Sequence, residues 1–400
     1  MTRGRTITSR RARIAFASLT VAFALVVAAC GGSDDNGSGS TTSPTTLDST
    51  AATAYVEAGP YTAGTTTLDL DGRTIEVWYP ADDIPPGAEQ VVFEIRDLLP
   101  ENLKSVVPDD LNPRYPTDAY RDIPASTDGP FPLVLFAHGF AAYPTEYQYL
   151  LTHLASWGMV VAAPDFEERG LLAALSGSTE RADETAVMLA TRELLQAESD
   201  ESGSLLSGKV DASNTGTIGH SAGVSSAVDA AATEQAVKTF VAMSGGRAPG
   251  GSTDATGTTI ADLPIPAKPG MVVTGGKDEV ADIDRVRAFF DALETPKRLV
   301  VVDEAGHNAF NDLCLIGRDQ GGLLQIASQV GINPPEQLAQ LFLDGCAAEF
   351  LVAEDAWPAT RHFVTAQLRY YLGVDAEPVG LGSGTEAYFA PIGVTFVVDE

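Results

Sequence analysis

The stretch Gly219-His220-Ser221-Ala222-Gly223 constrains this chain more than any other. It lies between an apolar, strand-like run and a helix of small residues, and it reads as G-x-S-x-G. That pattern forces a serine into a tight strand-to-helix bend with its hydroxyl exposed above a sheet. Glycine is needed on both sides, because the bend brings strand and helix too close for a side chain. A serine hydroxyl is a weak nucleophile until a base takes its proton. The motif therefore demands an acid and a histidine further along the chain, each at the end of a later strand.

The segment ahead of the fold reads as targeting. Arg3, Arg5, Arg10, Arg11 and Arg13 form a basic start, and Ile14 to Val27 is apolar but short for a membrane span. Residues 1–29 are thus expected to be a signal peptide. Val27-Ala28-Ala29-Cys30 is similar to a bacterial lipobox, in which Cys30 becomes the lipid-bearing first residue. Ordinary secretion with cleavage near Ala29, or an uncleaved anchor, are the alternatives. Residues 30–54 are Gly/Ser/Thr-rich and read as a flexible tether, which leaves 55–400 for a single domain. The expected location is extracytoplasmic, on a bacterial membrane or secreted.

The whole chain carries 25 basic and 54 acidic residues. Loss of residues 1–29 removes five arginines and leaves a balance of −34. Phosphate backbones need the opposite sign, so nucleic acid is excluded as a partner. The oligomeric state is left open, with a monomer favoured. Beyond Cys30, only Cys314 and Cys346 remain, and in an oxidising compartment an even pair reads as a disulfide. Neither has metal-ligand spacing, and no Gly-rich phosphate loop is present, so neither metal nor cofactor is expected.

Thr65–Leu70 and Thr74–Tyr79 are β-rich runs around Asp71-Gly72, a strong hairpin signal. Residues 81–130 are rich in Pro and Asp and read as an irregular insertion, with one helical turn near Glu94–Leu99 stopped by Pro100. Strands then alternate with helices. Strands are expected at Pro132–Ala137, Met159–Ala163, Thr215–Ile218, Thr239–Met243, Met271–Thr274 and Arg298–Val302. Helices are expected at Glu146–Trp157, Ala182–Ala197, Val224–Ala232, Ile283–Leu293 and Thr360–Leu372, with a second insertion at 308–356. Short apolar strands between amphipathic helices predict an α/β fold: a mostly parallel sheet covered on both faces, with an N-terminal antiparallel hairpin. No internal repeat is evident.

Asp278 directly follows the Met271–Thr274 strand, and His307 follows the Arg298–Val302 strand across Asp303-Glu304. Parallel strand ends point the same way, so Ser221, Asp278 and His307 are predicted to converge on one rim. His307 would take the serine proton and return one to the leaving group, while Asp278 would fix the imidazole tautomer. The backbone amides of Ala222 and of Phe140, in His138-Gly139-Phe140, are the expected oxyanion donors. Tyr143 and Tyr147 are candidate pocket walls, although packing within the helix accounts equally well for Tyr147. Among rival acids, Asp282 and Asp284 look like helix-start residues, Glu279 is next nearest, and Asp165 reads as structural. His138 and His220 are read as shaping their turns, His153 as facing a helix surface, and His362 as packing.

These stretches resemble one group of α/β-hydrolases, the bacterial relatives of platelet-activating-factor acetylhydrolase, chlorophyllase, dienelactone hydrolase and polyester hydrolases. The likeness rests on Ile75 to Pro80, Pro132 to Phe140, Leu154 to Gly158 and the serine turn, and spans roughly residues 59–374. The order Ser, Asp, His is that of α/β-hydrolases and differs from chymotrypsin and subtilisin. Met243-Ser244-Gly245-Gly246 lacks the carboxylate found there in the acetylhydrolase and chlorophyllase types, and Asp278 looks instead like the polyester-hydrolase arrangement. Polyester hydrolases usually carry Met or Leu after the serine, where this chain has Ala222, and the dienelactone-hydrolase cysteine is absent. The resemblance implies an α/β-hydrolase fold and a serine carboxylic-ester hydrolase acting through an acyl-enzyme. An acyltransferase with the same triad, or a silent binding lipoprotein on this scaffold, are the other readings. The Cys314–Cys346 bridge would steady the histidine loop or act as plain stapling.

Overall fold

A computed structural model of the chain describes residues 49–99, 101–247 and 265–400. The signal segment, Cys30 and most of the expected tether lie outside the described residues. The tether was expected to run to residue 54, but Ser49–Ala52 forms a helical turn, α1, and both Ala52 and Tyr55 are buried.

Among the described residues, eleven strands form one sheet: β1 (Thr62–Leu70), β2 (Arg73–Ala81), β3 (Glu89–Glu94), β4 (Arg114–Arg121), β5 (Phe131–Ala137), β6 (Val160–Pro164), β7 (Val210–His220), β8 (Val237–Met243), β9 (Gly270–Gly275), β10 (Lys297–Val302) and β11 (Val394–Asp399). Their order across the sheet is β11-β10-β9-β8-β7-β5-β6-β2-β1-β4-β3. The six strands from β6 to β10 pair in parallel, while β2 joins β6 and β11 joins β10 antiparallel. Asp71 and Gly72 close the first hairpin with φ of 52° and 91°, the left-handed pair that a two-residue turn of matching twist needs.

Among the described residues, eight further α-helices follow α1. They are α2 (Gln148–Ser156), α3 (Leu171–Ser176), α4 (Glu184–Asp200), α5 (Gly223–Thr233), α6 (Ile283–Ala292), α7 (Leu323–Gln329), α8 (Glu336–Leu343) and α9 (Ala353–Tyr371). Every residue of β5 is buried, which is why it reads as a continuous apolar run. Alternate side chains serve opposite faces: Val134 and Phe136 pack with Leu150, Leu154 and Phe363 of α2 and α9. Leu133 and Leu135 pack with Met188 and Leu195 of α4 on the other. Helices α5 and α6 continue that second layer through Val228 and Phe289.

The first insertion differs from the irregular segment expected at 81–130. It contributes β3 and β4, which extend the sheet beyond the hairpin. Pro116 argued against a strand, but it lies where β4 pairs with β3 alone, so one side of the strand needs no donor. Helix α9 begins seven residues before the expected Thr360, running through Pro358 near its start. The 308–356 insertion holds α7 and α8. Its Leu313, Ile316 and Phe342 pack against Phe93, Ile95 and Val107 of the first insertion, giving a separate apolar cluster beside the serine turn.

Candidate active site

Ser221 sits between β7 and α5 with φ 53°, a left-handed backbone that a non-glycine residue adopts only under constraint. A β-carbon at Gly219 would lie 2.2 Å from the Gly223 carbonyl oxygen, and one at Gly223 would lie 2.2 Å from that of Ala137. Both glycines are therefore sterically required by the bend, and the Ser221 amide is fixed by donating to Met243 O at 2.8 Å.

The three predicted side chains meet at the carboxyl ends of β7, β9 and β10. His307 Nε2 lies 2.9 Å from Ser221 Oγ, and its Nδ1 lies 2.9 and 3.0 Å from the two oxygens of Asp278. Asp278 Oδ1 also accepts the amides of Val280 and Ala281 at 3.0 and 2.7 Å. A carboxylate so held can only accept, so Nδ1 carries the imidazole proton and Nε2 faces the serine hydroxyl as an acceptor. Asp278 and His307 are buried, at 5% and 1% exposure, which strengthens their coupling. The rival Asp282 caps α6, accepting from Asp284 N and Arg285 N.

The amides of Phe140 and Ala222 find no hydrogen-bond acceptor among the described residues. Unpaired backbone donors beside the half-buried Ser221 hydroxyl are the arrangement a developing oxyanion requires. Their surroundings are rigid. Arg169 Nη2 donates to His138 O at 2.6 Å while its other nitrogen pairs with Glu184, and the Ala141 amide donates to Arg169 O at 2.8 Å.

Tyr147 and His220 work beneath the cleft. The Gly139 amide donates to Tyr147 Oη at 3.2 Å, and that hydroxyl meets His220 Nδ1 at 2.9 Å. His220 Nε2 lies 3.3 Å from the His307 carbonyl oxygen. Burial, with His307 nearby, pushes His220 well below its usual range, so it stays neutral next to the His307 imidazole. Tyr147 is buried and lines the serine slot from below, together with Gly139 and His220. Tyr143, the other candidate wall, borders a different groove with Asp97, Asp165 and Glu167. His153, expected on a helix surface, is buried at 4% exposure. The cleft itself is a slot of about 10 Å³, bordered by Phe140, Ala142, Leu313, Leu341 and Phe342.

Asp344 is the residue that sequence reasoning missed. Its carboxylate accepts the His307 amide at 2.7 Å and the Glu279 amide at 2.9 Å, one from each loop that carries a triad partner. Its carbonyl oxygen accepts Asn308 N at 3.0 Å and Nδ2 at 2.9 Å. Burial raises the Asp344 carboxyl, while the two amides oppose that rise. Asp344-Gly345 was visible as a turn dipeptide, but nothing local pointed to a partner 37 positions away. Two residues on, Cys346 is bonded to Cys314 with S–S 1.99 Å and Cα–Cα 5.0 Å, ordinary cystine geometry. The bridge thus ties the start of the second insertion to the segment that holds both triad loops.

A chlorophyllase family model matches residues 120–245, a span that includes Phe140 and the serine turn and ends before Asp278 and His307. No protein of curated function matches the chain in sequence. Among solved structures, a ferulic acid esterase from Streptomyces cinnamoneus is similar at 22% identity and TM-score 0.53, covering 85% of this chain and 98% of that one. With the strand order and the serine turn, this likeness gives the architecture its name: the chain has the α/β-hydrolase fold.

Proposed function

We propose that the protein is a serine carboxylic-ester hydrolase in which Ser221, His307 and Asp278 act as one unit. The observation that carries this reading is His307 bridging Ser221 Oγ and the Asp278 carboxylate at 2.9 Å on each side. Ser221 Oγ attacks the ester carbonyl carbon as its proton passes to His307 Nε2. The negative charge that forms on the carbonyl oxygen is met by the Phe140 and Ala222 amides. Collapse expels the alcohol, which leaves with the proton from His307, and the acyl group stays on Ser221. Water then attacks the acyl-enzyme with His307 as base, releasing the acid and restoring the serine.

The acyl group would lie against Leu313, Leu341 and Phe342, with Glu146, Asn308 and Asn311 on the same border. The neighbouring esterase and the chlorophyllase likeness, both with ester-cleaving names, support the same class. An acyltransferase would share every step up to the acyl-enzyme and differ only in using an alcohol in place of water. The motif at Cys30 supports a lipid-anchored, extracytoplasmic form of the enzyme.

Short-chain p-nitrophenyl esters test the proposal: the wild type should turn them over and Ser221→Ala should not. Equal, near-zero rates for both would overturn it. Transesterified product on adding an alcohol would favour the transferase, and loss of palmitate labelling in Cys30→Ser would support the anchor.

A further inference from the structure

A second groove runs along α2, on the other side of the Pro144–Tyr147 turn from the serine slot. It encloses about 440 Å³, between β1 and β4 on one wall and α9 with the 312–316 stretch on the other. Helix α2 lines it with Gln148, Thr152 and Ser156, spaced four residues apart, and with Tyr149 and His153 beside them. A helix inside its own protein normally turns an apolar stripe inward. Helix α2 does so with Leu150, Leu151, Leu154 and Ala155, but its groove-facing stripe is polar, and Gln148, Thr152, His153 and Ser156 there are only 4–8% exposed.

Buried polar groups need partners, and part of this set has them. Gln148 Oε1 accepts from Trp78 Nε1 at 3.1 Å, and Ser156 Oγ donates to His153 O at 2.7 Å. His153 Nε2 and Trp357 Nε1, on two residues that border the groove, have no partner among the described residues. Burial, aided by Arg361, lowers His153 to about 3, so its ring is neutral. Trp357 stacks on Tyr149, centroids 4.6 Å apart at 17°, and Tyr61 and Tyr115 add further ring surface.

We propose that this groove binds a neutral saccharide of one or two rings. Sugar hydroxyls both donate and accept, as do the hydroxyl, amide and neutral imidazole groups along α2, and the C–H faces of a pyranose pack on aromatic rings. The charged side chains on the walls are Asp118, Asp312 and Arg361, so an anion would meet two carboxyl groups. The one guanidinium donates through its Nε to Tyr149 O at 3.0 Å. An acyl chain would offer no partner to His153 Nε2 or Trp357 Nε1, whereas Gln148, Thr152 and Ser156 are already bonded within the protein. The volume falls in the range of small-ligand pockets, roughly 300–1,000 Å³.

Calorimetric titration of the full chain with maltose, cellobiose and xylobiose, against benzoate, hexanoate and glycine betaine, tests the idea. At least one neutral disaccharide should bind saturably. Thr152→Leu and His153→Leu should each weaken it about tenfold, the effect expected for a lost hydrogen bond in a closed site. Thr152→Val, which keeps the shape and loses the hydroxyl, should weaken it in the same direction if the larger side chains prevent folding. Ser221→Ala should leave the affinity unchanged, and Thr152→Leu should leave p-nitrophenyl ester turnover unchanged, which separates this site from the ester-cleaving one. Absence of saturable binding by all three sugars would overturn the proposal. So would preferential binding of benzoate, hexanoate or betaine, or loss of sugar binding in Ser221→Ala.

Discussion

The parallel half of the sheet and the two insertions do different jobs for one site. Strands β7, β9 and β10 deliver Ser221, Asp278 and His307 by topology alone, because all three end on the same rim. The insertions deliver none of the three, yet they hold the delivered groups still. Asp344 takes an amide from each triad loop, and Cys314–Cys346 closes the segment on which Asp344 lies. On the proposed mechanism, the sheet supplies the reacting groups and the later, irregular chain holds their geometry. Positioning at the scale of about 1 Å is worth roughly a hundredfold in rate, so both halves are needed for efficient turnover.

The largest effects should separate the two regions. Ser221→Ala and His307→Ala should each lower kcat about 10⁶-fold, and the double variant should lose little more, since the pair acts as a unit. Asp278→Asn should cost about 10⁴-fold, through the wrong imidazole tautomer. Steady-state kinetics on a p-nitrophenyl ester checks all three. A loss in Asp344→Asn as large as that in Ser221→Ala would break the division of labour.

Asp344→Asn should instead lower kcat by about ten- to a hundredfold, with KM little changed, because it loosens loops that still carry an intact triad. Reduction of the cystine comes next. Freeing a loop of this length should remove roughly 3–4 kcal/mol in the chain-entropy account, visible as a lower Tm. Because Cys346 lies two residues from Asp344, kcat should fall severalfold under the same reductant. Unchanged turnover with a lowered Tm would make the bridge a staple only and sharpen the boundary between the regions.

The smallest effect concerns Asp312, in the second insertion. Burial raises its carboxyl from 3.8 to about 7, above its unfolded value. The folded state therefore holds a proton that the unfolded state has released. That contribution to stability is full below about pH 4, declines as pH climbs to about 7, and changes little above. Urea midpoints for wild type and Asp312→Asn, taken across that window, should differ in slope, with the variant flatter. Parallel slopes would contradict the assignment.

Much of the parallel half was legible in the chain because its strands are buried on both faces and read as unbroken apolar runs, as in β5. The turn after β7 was legible because its backbone forbids side chains at Gly219 and Gly223. What the sequence hid has physical reasons. Pro116 disguised β4, and Pro358 masked the start of α9. Strand β11 alternates buried Val394 and Phe396 with exposed neighbours, a signal too brief to separate from a tail. Asp344 was invisible because its bonds run to backbone amides, which carry no residue identity. Tyr147 was legible in part: it borders the slot, but nothing in its local sequence showed that its hydroxyl meets Gly139 and His220.

Covalent labelling with a fluorophosphonate, mapped by peptide mass spectrometry, tests the activated serine most directly. The account predicts one adduct, on Ser221, formed rapidly by the wild type and nearly abolished in His307→Ala. An adduct on another residue, or labelling of Ser221 undiminished by the loss of His307, would contradict it.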